Sequence, residues 1–108
     1  MWNKPSERGL AEFPRLYDTE DVPFDEKIIY MHFFIGGCDW YIAEYSSKER
    51  VFFGYANLGD DQMAEWGYIS LDELEEINIR SLEIDRDRWW KPIRFAGIAK
   101  RILSYSDS

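Results

Sequence analysis

Two glutamates interrupt aromatic runs of the sequence and are the first candidates for chemistry. Glu44 ends the run 40–44, and Glu65 directly precedes an aromatic segment that begins at Trp66. Two neighbouring carboxylates can divide general acid–base work when their surroundings separate their pKa values. A second interpretation stays open, in which both acids end strands and face water or a basic partner, because strand register is unknown from the sequence.

The single histidine and the single cysteine offer little for catalysis or metal binding. A zinc site usually takes three or four ligands, so His32 and Cys38 could only join a site made mostly of carboxylates. A nucleophilic thiol needs a nearby base or positive field, whereas Cys38 is followed by the acid Asp39. We therefore predict that His32 has a structural role and that Cys38 is a small turn residue. We predict no catalytic residue, no metal ligand and no cofactor.

A second group of acids lies in one loop and one predicted helix. Asp60 and Asp61 precede Glu65, and Glu75 and Glu76 follow on the helix. The loop lacks the ligand spacing of a helix-loop-helix calcium site. Together the five carboxylates could form a negative surface for a protein partner with a basic surface. A solvated surface that serves only solubility is the alternative.

Three aromatic residues also admit two interpretations: Tyr55, Trp66 and Tyr68. In a small sheet such side chains first of all fill the core or cover a face. Exposed on a strand, they are good anchors for protein binding. Lining a pocket, they would suit a small ligand.

The composition indicates one small acidic domain. The chain has 108 residues, a net charge of −8 and 18% aromatic residues. This length is typical of one domain, so we expect a single domain over 1–108 with frayed ends at 1–5 and 105–108. The negative charge argues against direct nucleic-acid binding. With neither a leader nor a long apolar run, we expect a cytoplasmic protein without membrane contact.

The elements that must position these residues form a predicted α+β fold. Four runs have strand character, namely 27–35, 39–45, 51–56 and 65–69. The first is almost continuously apolar and is expected to be a central strand buried on both faces. Short links between the runs favour an antiparallel meander. We expect an antiparallel sheet of four or five strands, with two or three helices packed mainly on one face.

Alternation and capping patterns give finer expectations. In the second run, Glu44 is expected on the same face as Ile42, with Tyr45 on the opposite face. Ser6 is expected to cap a short helix that ends at Pro14. A capping box is expected at 70–73. Apolar residues at 95, 98, 102 and 105 recur at helical spacing.

Several phrases in a fixed order make the sequence resemble one bacterial family. They occupy residues 13–17, 19–21, 40–44, 52–55 and 65–74. In this combination they resemble the domain of unknown function 2958, whose members are common on plasmids and other mobile elements. The family has no assigned activity. The resemblance therefore implies only an accessory role on a mobile element, and it assigns no residue to catalysis.

The sequence thus favours a noncatalytic accessory protein that binds another protein through an acidic surface. A mobile-element regulator and an inhibitor of host defence are two such roles. One alternative is a small carboxylate-based or metal-assisted enzyme that uses Glu44 and Glu65. Another is a small-ligand-binding module.

Overall fold

Strands make up most of the regular secondary structure. The computed structural model describes residues 5–79 and 82–98. The strands are β1 (Ile28–Ile29), β2 (Met31–Ile35), β3 (Cys38–Ser46), β4 (Val51–Asn57), β5 (Glu65–Ser70), β6 (Asn78–Ile79), β7 (Leu82–Glu83), β8 (Asp85–Arg86) and β9 (Ile93–Arg94). The α-helices are α1 (Glu7–Ala11) and α2 (Leu71–Glu76), with a further α-helical turn at 95–98, and two 3-10 helices cover Phe24–Glu26 and Asp61–Met63.

Five of the strands form one antiparallel sheet in the order β5-β4-β3-β2-β8. Two small antiparallel pairs, β1 with β9 and β6 with β7, complete the β-structure. The sequence-based prediction of an antiparallel sheet with a few helices is confirmed. In the described part of the chain, no helix is long and apolar enough to cross a membrane.

The two helices begin at the predicted caps. The Ser6 hydroxyl accepts a hydrogen bond from the backbone N–H of Gly9, and α1 ends shortly before Pro14. The Ser70 hydroxyl accepts a hydrogen bond from the backbone N–H of Glu73 and caps α2. Each cap occupies a backbone donor that has no partner within its own helix.

The apolar run 27–35 forms two strands, which corrects the prediction of one central strand buried on both faces. Tyr30 lies between β1 and β2, and its N–H donates to the carbonyl oxygen of Ile42. Burial alternates along β2, where Phe33 is buried and its neighbour His32 is only half-buried. Tertiary pairing divides the run, because β1 pairs with β9 whereas β2 pairs with β3 and β8.

A β-bulge in β3 overturns the expected alternation of its side chains. Ile42 lies opposite Gly54, but Glu44 lies opposite Phe53, so Ala43 is an extra residue in the ladder. A bulge shifts the side-chain alternation by one residue. Glu44 is consequently on the face opposite to Ile42, and Tyr45 turns into the core that contains Ile42.

Gly54 permits this bulge. A Cβ atom at Gly54 would overlap the carbonyl oxygen of Tyr41 and would lie 3.1 Å from the Cα of Ile42. Both neighbours are backbone atoms, which cannot move aside without distorting β3. Glycine in a strand often marks such a close approach of another backbone.

The two faces of the main sheet carry different side chains. One face, which we call the core face, holds a buried cluster of Leu10, Met31, Phe33, Ile35, Trp40, Ile42, Tyr45, Phe52, Ile69, Leu71, Leu74 and Ile84. The other, which we call the pocket face, holds Ile29, Tyr41, Ala43, Phe95 and Ile98, with Tyr55, Trp66, Trp90 and Ile93 packed against them. Helical residues occur in both clusters, so helix packing mainly on one face is not shown. Residues 102 and 105 of the expected C-terminal helix, and the expected frayed ends apart from the buried Pro5, lie outside the described residues.

Candidate functional site

A pocket of about 470 Å³ lies between residues 17–27 and the pocket face of the sheet. Four aromatic side chains line its walls: Tyr17, Phe24, Phe53 and Tyr68. The exposed carboxylates of Glu20 and Asp21 lie at its mouth, and the buried charges of Lys27 and Glu44 lie at its base. The pocket thus combines an aromatic wall with charged groups of both signs.

Three adjacent strands place one row of side chains on this face. Glu44 of β3 lies opposite Phe53 of β4, which lies opposite Tyr68 of β5. Directly opposed residues point to the same side of a sheet. Without the bulge at Ala43, the carboxylate of Glu44 would point into the apolar core and not into the pocket.

Glu44 anchors the segment that forms the outer wall of the pocket. Its Oε1 accepts a hydrogen bond from the backbone N–H of Tyr17 at 3.0 Å. Its Oε2 accepts from the backbone N–H of Thr19 at 2.9 Å and from the Thr19 hydroxyl. Because three donors occupy this buried carboxylate, Glu44 is better suited to hold the segment in place than to abstract a proton from a ligand.

Lys27 completes a buried polar chain with Thr19 and Glu44. Its ammonium donates to the backbone carbonyl oxygen and to the hydroxyl oxygen of Thr19. It also lies 5.8 Å from the ring centroids of Phe24 and Phe53, in range for cation–π attraction. The Thr19 hydroxyl thus bridges a buried cation and a buried anion, both only 3% exposed. Burying either charge alone would be expensive.

The backbone of Tyr17 adopts an unusual conformation at the pocket mouth. Its φ of +75° lies in the left-handed region, which costs free energy for a bulky side chain. The two backbone hydrogen bonds to Glu44 hold the chain in this conformation.

A hydrogen bond to Tyr17 raises the pKa of the Tyr68 hydroxyl, with smaller contributions from desolvation and nearby carboxylates. The two tyrosines therefore close one side of the pocket together.

Trp66 and Tyr55 belong to the packing behind the pocket. The Trp66 ring stacks on Phe24 at 5.0 Å between centroids and meets Phe95 edge-on at 4.9 Å. Tyr55 packs against Phe95 at 4.7 Å. Burial raises the pKa of Tyr55, as does the negative charge of Asp61. Of the three aromatic candidates, Tyr68 alone lines the pocket.

The predicted pair of carboxylates does not form. Glu65 lies opposite Ala56, which packs against the core-face cluster, whereas Glu44 lies on the pocket face. Glu65 and Glu44 are therefore on opposite faces of the sheet. The enzyme hypothesis that rested on their proximity has no geometric basis, because the bulge and the register together separate them.

The acidic loop and the acidic helix are also apart. Asp60 and Asp61 precede the first residue of β5, whereas Glu75 and Glu76 follow its last. At about 3.3 Å per residue, the strand between them is roughly 20 Å long. Three of the four carboxylates have local partners: Asp60 accepts from the N–H of Gln62, Asp61 from the Asn57 amide, and Glu75 pairs with Arg50. The loop acids and the helix acids therefore lie at opposite ends of β5.

His32 and Cys38 lie outside the pocket. His32 stacks on Tyr41 at 4.7 Å, and its Nε2 is 2.7 Å from Asp39 Oδ1. Cys38 is the first residue of β3 and packs against the core-face cluster, so its predicted place in the turn is wrong. In residues 5–79 and 82–98, no three side chains of metal-binding type are placed so that they could hold a metal ion.

Sequence reasoning missed the outer wall of the pocket. The residues of this wall are distant in sequence from the strands they meet: Tyr17, Thr19, Phe24 and Lys27. The composition of 17–26 predicts only an acidic loop. The signal available in the sequence was the presence of two aromatic residues, Tyr17 and Phe24, within that acidic loop. Lys27 begins the run that was expected to be buried, but its hydrogen bonds to Thr19 left no local trace in the sequence.

The chain belongs to the family described as "Protein of unknown function (DUF2958)", which matches residues 17–100. The matched range begins at Tyr17 and includes every residue that lines the pocket. No curated protein and no solved structure matches the chain.

Proposed function

We propose that this member of the DUF2958 family is a noncatalytic protein-binding domain that captures a basic side chain of its partner in the aromatic pocket. The observation that carries the proposal is the exposure of three rings around one acidic mouth. Tyr17 is 63% exposed, Phe24 52% and Tyr68 62%. Aromatic residues exposed together around a pocket are typical anchors of protein interfaces.

The charge at the mouth favours a cationic group. Lys27 and Glu44 offset each other at the base through Thr19, so among the described residues that line the pocket the remaining charges are those of Glu20 and Asp21. Aromatic faces attract cations, with guanidinium groups stacking especially well. An arginine side chain would place its planar head among the rings and meet the two carboxylates.

The strain at Tyr17 supports the same proposal. A left-handed backbone at an aromatic residue persists only where surrounding contacts determine it. Here a buried carboxylate holds the backbone of the segment 17–19, which carries the Tyr17 ring at the mouth. A wall that is fixed before binding reduces the ordering cost of the complex.

This proposal relocates the acidic surface expected from the sequence. The expected surface used Asp60 and Asp61 before β5, Glu65 at its first residue, and Glu75 and Glu76 in α2 after it. The relocated surface uses the acids of 18–26 together with Tyr68. A cytoplasmic regulator encoded on a mobile element, or an inhibitor of host defence, would be one setting for such a domain.

A defined probe tests the capture of a cation. Acetylated and amidated arginine should shift the NMR signals of the Tyr17, Phe24 and Tyr68 rings in a saturable way. The citrulline analogue has nearly the same shape without the charge and should bind at least about tenfold more weakly, a difference of about 1.4 kcal/mol. Equal binding of the two probes, or shifts confined to residues 60–61 and 75–76, would overturn the proposal.

A charge-matched pair of variants provides the control. Glu20→Gln with Asp21→Asn removes two charges at the mouth and should abolish the preference for arginine over citrulline. Glu49→Gln with Glu76→Gln removes two charges from exposed positions elsewhere and should leave the preference intact. If both double variants lose the preference equally, long-range charge and not the pocket is responsible.

A small-ligand-binding module is the second candidate, and the size of the pocket favours it. About 470 Å³ falls within the range of small-molecule sites. A small molecule that fills the pocket would raise the melting temperature in proportion to the logarithm of its concentration. A neutral aromatic compound that does so in wild-type and in the Glu20→Gln, Asp21→Asn variant alike would favour this candidate over cation capture.

A further inference from the structure

We infer that the partner binds as an extended strand along the outer edge of β5 and inserts a basic side chain from that strand into the pocket. This inference rests on the proposed function, because it uses the same pocket. It adds the backbone conformation of the partner and the alternation of its side chains. The occupant is a peptide segment with one basic residue flanked by apolar residues.

The outer edge of β5 is available for pairing. β5 is the terminal strand of the main sheet, and in residues 5–79 and 82–98 no strand pairs with its outer side. An edge strand presents backbone N–H and C=O groups that can pair with another chain. Strand addition at such an edge is a common mode of peptide recognition.

The opposite edge of the same sheet makes a useful contrast. β8 is only two residues long, and both of them, Asp85 and Arg86, are charged. Short length and charge are the usual means of protecting an edge. β5 has six residues, contains no Pro or Lys, and pairs with β4 without a register shift from Ser70 to Glu65. Only one of the two edges is therefore protected in the ordinary way.

The middle of β5 is open on the core-face side. A Cβ atom placed on Gly67 would have no heavy atom within 4 Å among its neighbours. Gly54, directly across the ladder, is by contrast closely packed against β3. An apolar side chain of an added strand could occupy the space beside Gly67.

The pocket adjoins the same strand on the other face. Tyr68 lies next to Gly67 and lines the pocket. An added strand would lie about 4.8 Å beyond β5, with successive side chains pointing to opposite faces. A basic residue on the pocket face would lie beside the Tyr68 ring and extend toward Glu20 and Asp21, while its two neighbours would lie near Gly67 and Ile69.

The acidic mouth argues for a partner of this charge and against a second copy of the chain. β5 carries one charged residue, Glu65, and no basic residue. In an antiparallel pair of two β5 strands, no basic side chain of β5 would be available for the pocket. Charge complementarity therefore favours a basic peptide segment as the occupant.

Backbone methylation of a peptide gives a direct test. The probe is the acetylated and amidated peptide Thr-Val-Arg-Val-Thr, titrated into the full chain and followed by NMR. In a strand, the N–H groups of alternate residues point to the same side. Methylation of the backbone nitrogen of Arg and methylation of the backbone nitrogen of a Val should have different effects on affinity. One should lower the affinity at least about tenfold and the other less than about twofold.

Hydrogen exchange supplies the second readout on the protein. The unmodified peptide should slow the exchange of alternate amides in β5, whereas acetylated and amidated arginine should leave them unchanged. If the two methylated peptides bind equally and β5 exchange does not slow, strand addition is wrong, although the capture of arginine can still hold. A free protein that is dimeric with protected β5 amides would also overturn the inference, because a second copy would cover the edge.

The two proposals fail in distinguishable ways. If citrulline replaces arginine in the peptide without loss while the dependence on methyl position persists, strand addition holds and cation capture fails. If arginine is required but the methyl position has no effect, cation capture holds and strand addition fails.

Discussion

The core face and the pocket face of the main sheet share the same strands but hold different kinds of side chain. On the core face, Phe33, Ile42 and Phe52 are completely buried among other apolar groups. On the pocket face, a buried Lys27 and a buried Glu44 meet at Thr19, beside rings that remain exposed. The core face can be explained by folding alone, because burial of apolar surface is its whole contribution.

The pocket face contains features that folding alone does not require. A buried pair of charges is often no more stable than apolar residues of the same volume, and the left-handed Tyr17 adds strain. Such costs concentrate at sites that bind or react. We infer that burial on the core face supplies the free energy that stabilises the fold, and that this free energy offsets the costs of the buried charges and the strained backbone on the pocket face.

The largest expected effect is on the core face. Phe52→Ala removes a fully buried ring and should lower the free energy of unfolding by about 3–5 kcal/mol. The adjacent Phe53→Ala on the pocket face removes a half-buried ring and should cost clearly less. Urea denaturation of both variants measures the difference. Equal losses would remove the energetic distinction between the two faces.

The next effect tests the buried charges of the pocket face. Glu44→Gln leaves the Lys27 ammonium without its buried counter-charge and should cost about 3 kcal/mol. Lys27→Met combined with Glu44→Gln should recover much of that loss, which a double-mutant cycle would report as a strong coupling. Additive losses in the cycle would show that Lys27 and Glu44 do not act as a pair.

The bulge that connects the two faces is tested by a pair of glycines. Gly54→Ala forces a methyl group against the backbone at Tyr41 and should cost about 2 kcal/mol. It should also shift the amide signals of Tyr17 and Thr19, because Glu44 would move. Gly67→Ala is the matched control, since its methyl group would meet open space. A comparable loss in both variants would contradict the role assigned to Gly54.

The smallest expected effect depends on pH. Burial raises the pKa of Tyr41 from 10.0 to about 12, with added contributions from Asp39, Tyr55 and Asp61. The folded state keeps this proton while the unfolded state loses it, so the stabilising contribution is complete below pH 10 and is lost as the pH rises through about 12. At pH 11 the loss should be on the order of 1 kcal/mol.

Tyr41→Phe isolates this contribution. Its free energy of unfolding should fall less steeply between pH 8 and pH 11 than that of the wild-type protein, as measured by urea denaturation at each pH. The other tyrosines titrate in both proteins and cancel in the comparison, except for Tyr55, whose charge interacts with that of Tyr41. Parallel pH profiles would show that the Tyr41 hydroxyl titrates as it does in water.

Local patterns in the sequence were sufficient for most elements of the fold. Ser6 and Ser70 predicted the starts of both helices, because a hydroxyl at that position accepts a hydrogen bond from a nearby backbone N–H. Short links predicted the antiparallel meander from β2 to β5, since a hairpin needs only a few residues. The family resemblance, which depends on short phrases in a fixed order, was also confirmed.

The candidate site was only partly accessible from the sequence. Glu44 and Tyr68 were singled out as interrupting or exposed residues, and both line the pocket. The predicted pairing of Glu44 with Glu65 was wrong, because the register places Glu65 opposite Ala56. Register depends on contacts between strands, which a single strand does not encode.

The sequence by itself determined where α1 and α2 begin and that the runs from β2 to β5 form successive strands, because capping and turn residues act within a few positions along the chain. Only the tertiary structure decided which face Glu44 occupies, because the bulge at Ala43 requires the close approach of Gly54 from the next strand. The pocket likewise exists only where residues 17–27 meet β3, β4 and β5. Such long-range contacts are selected by the packing of the whole domain and leave no periodic signal in the chain.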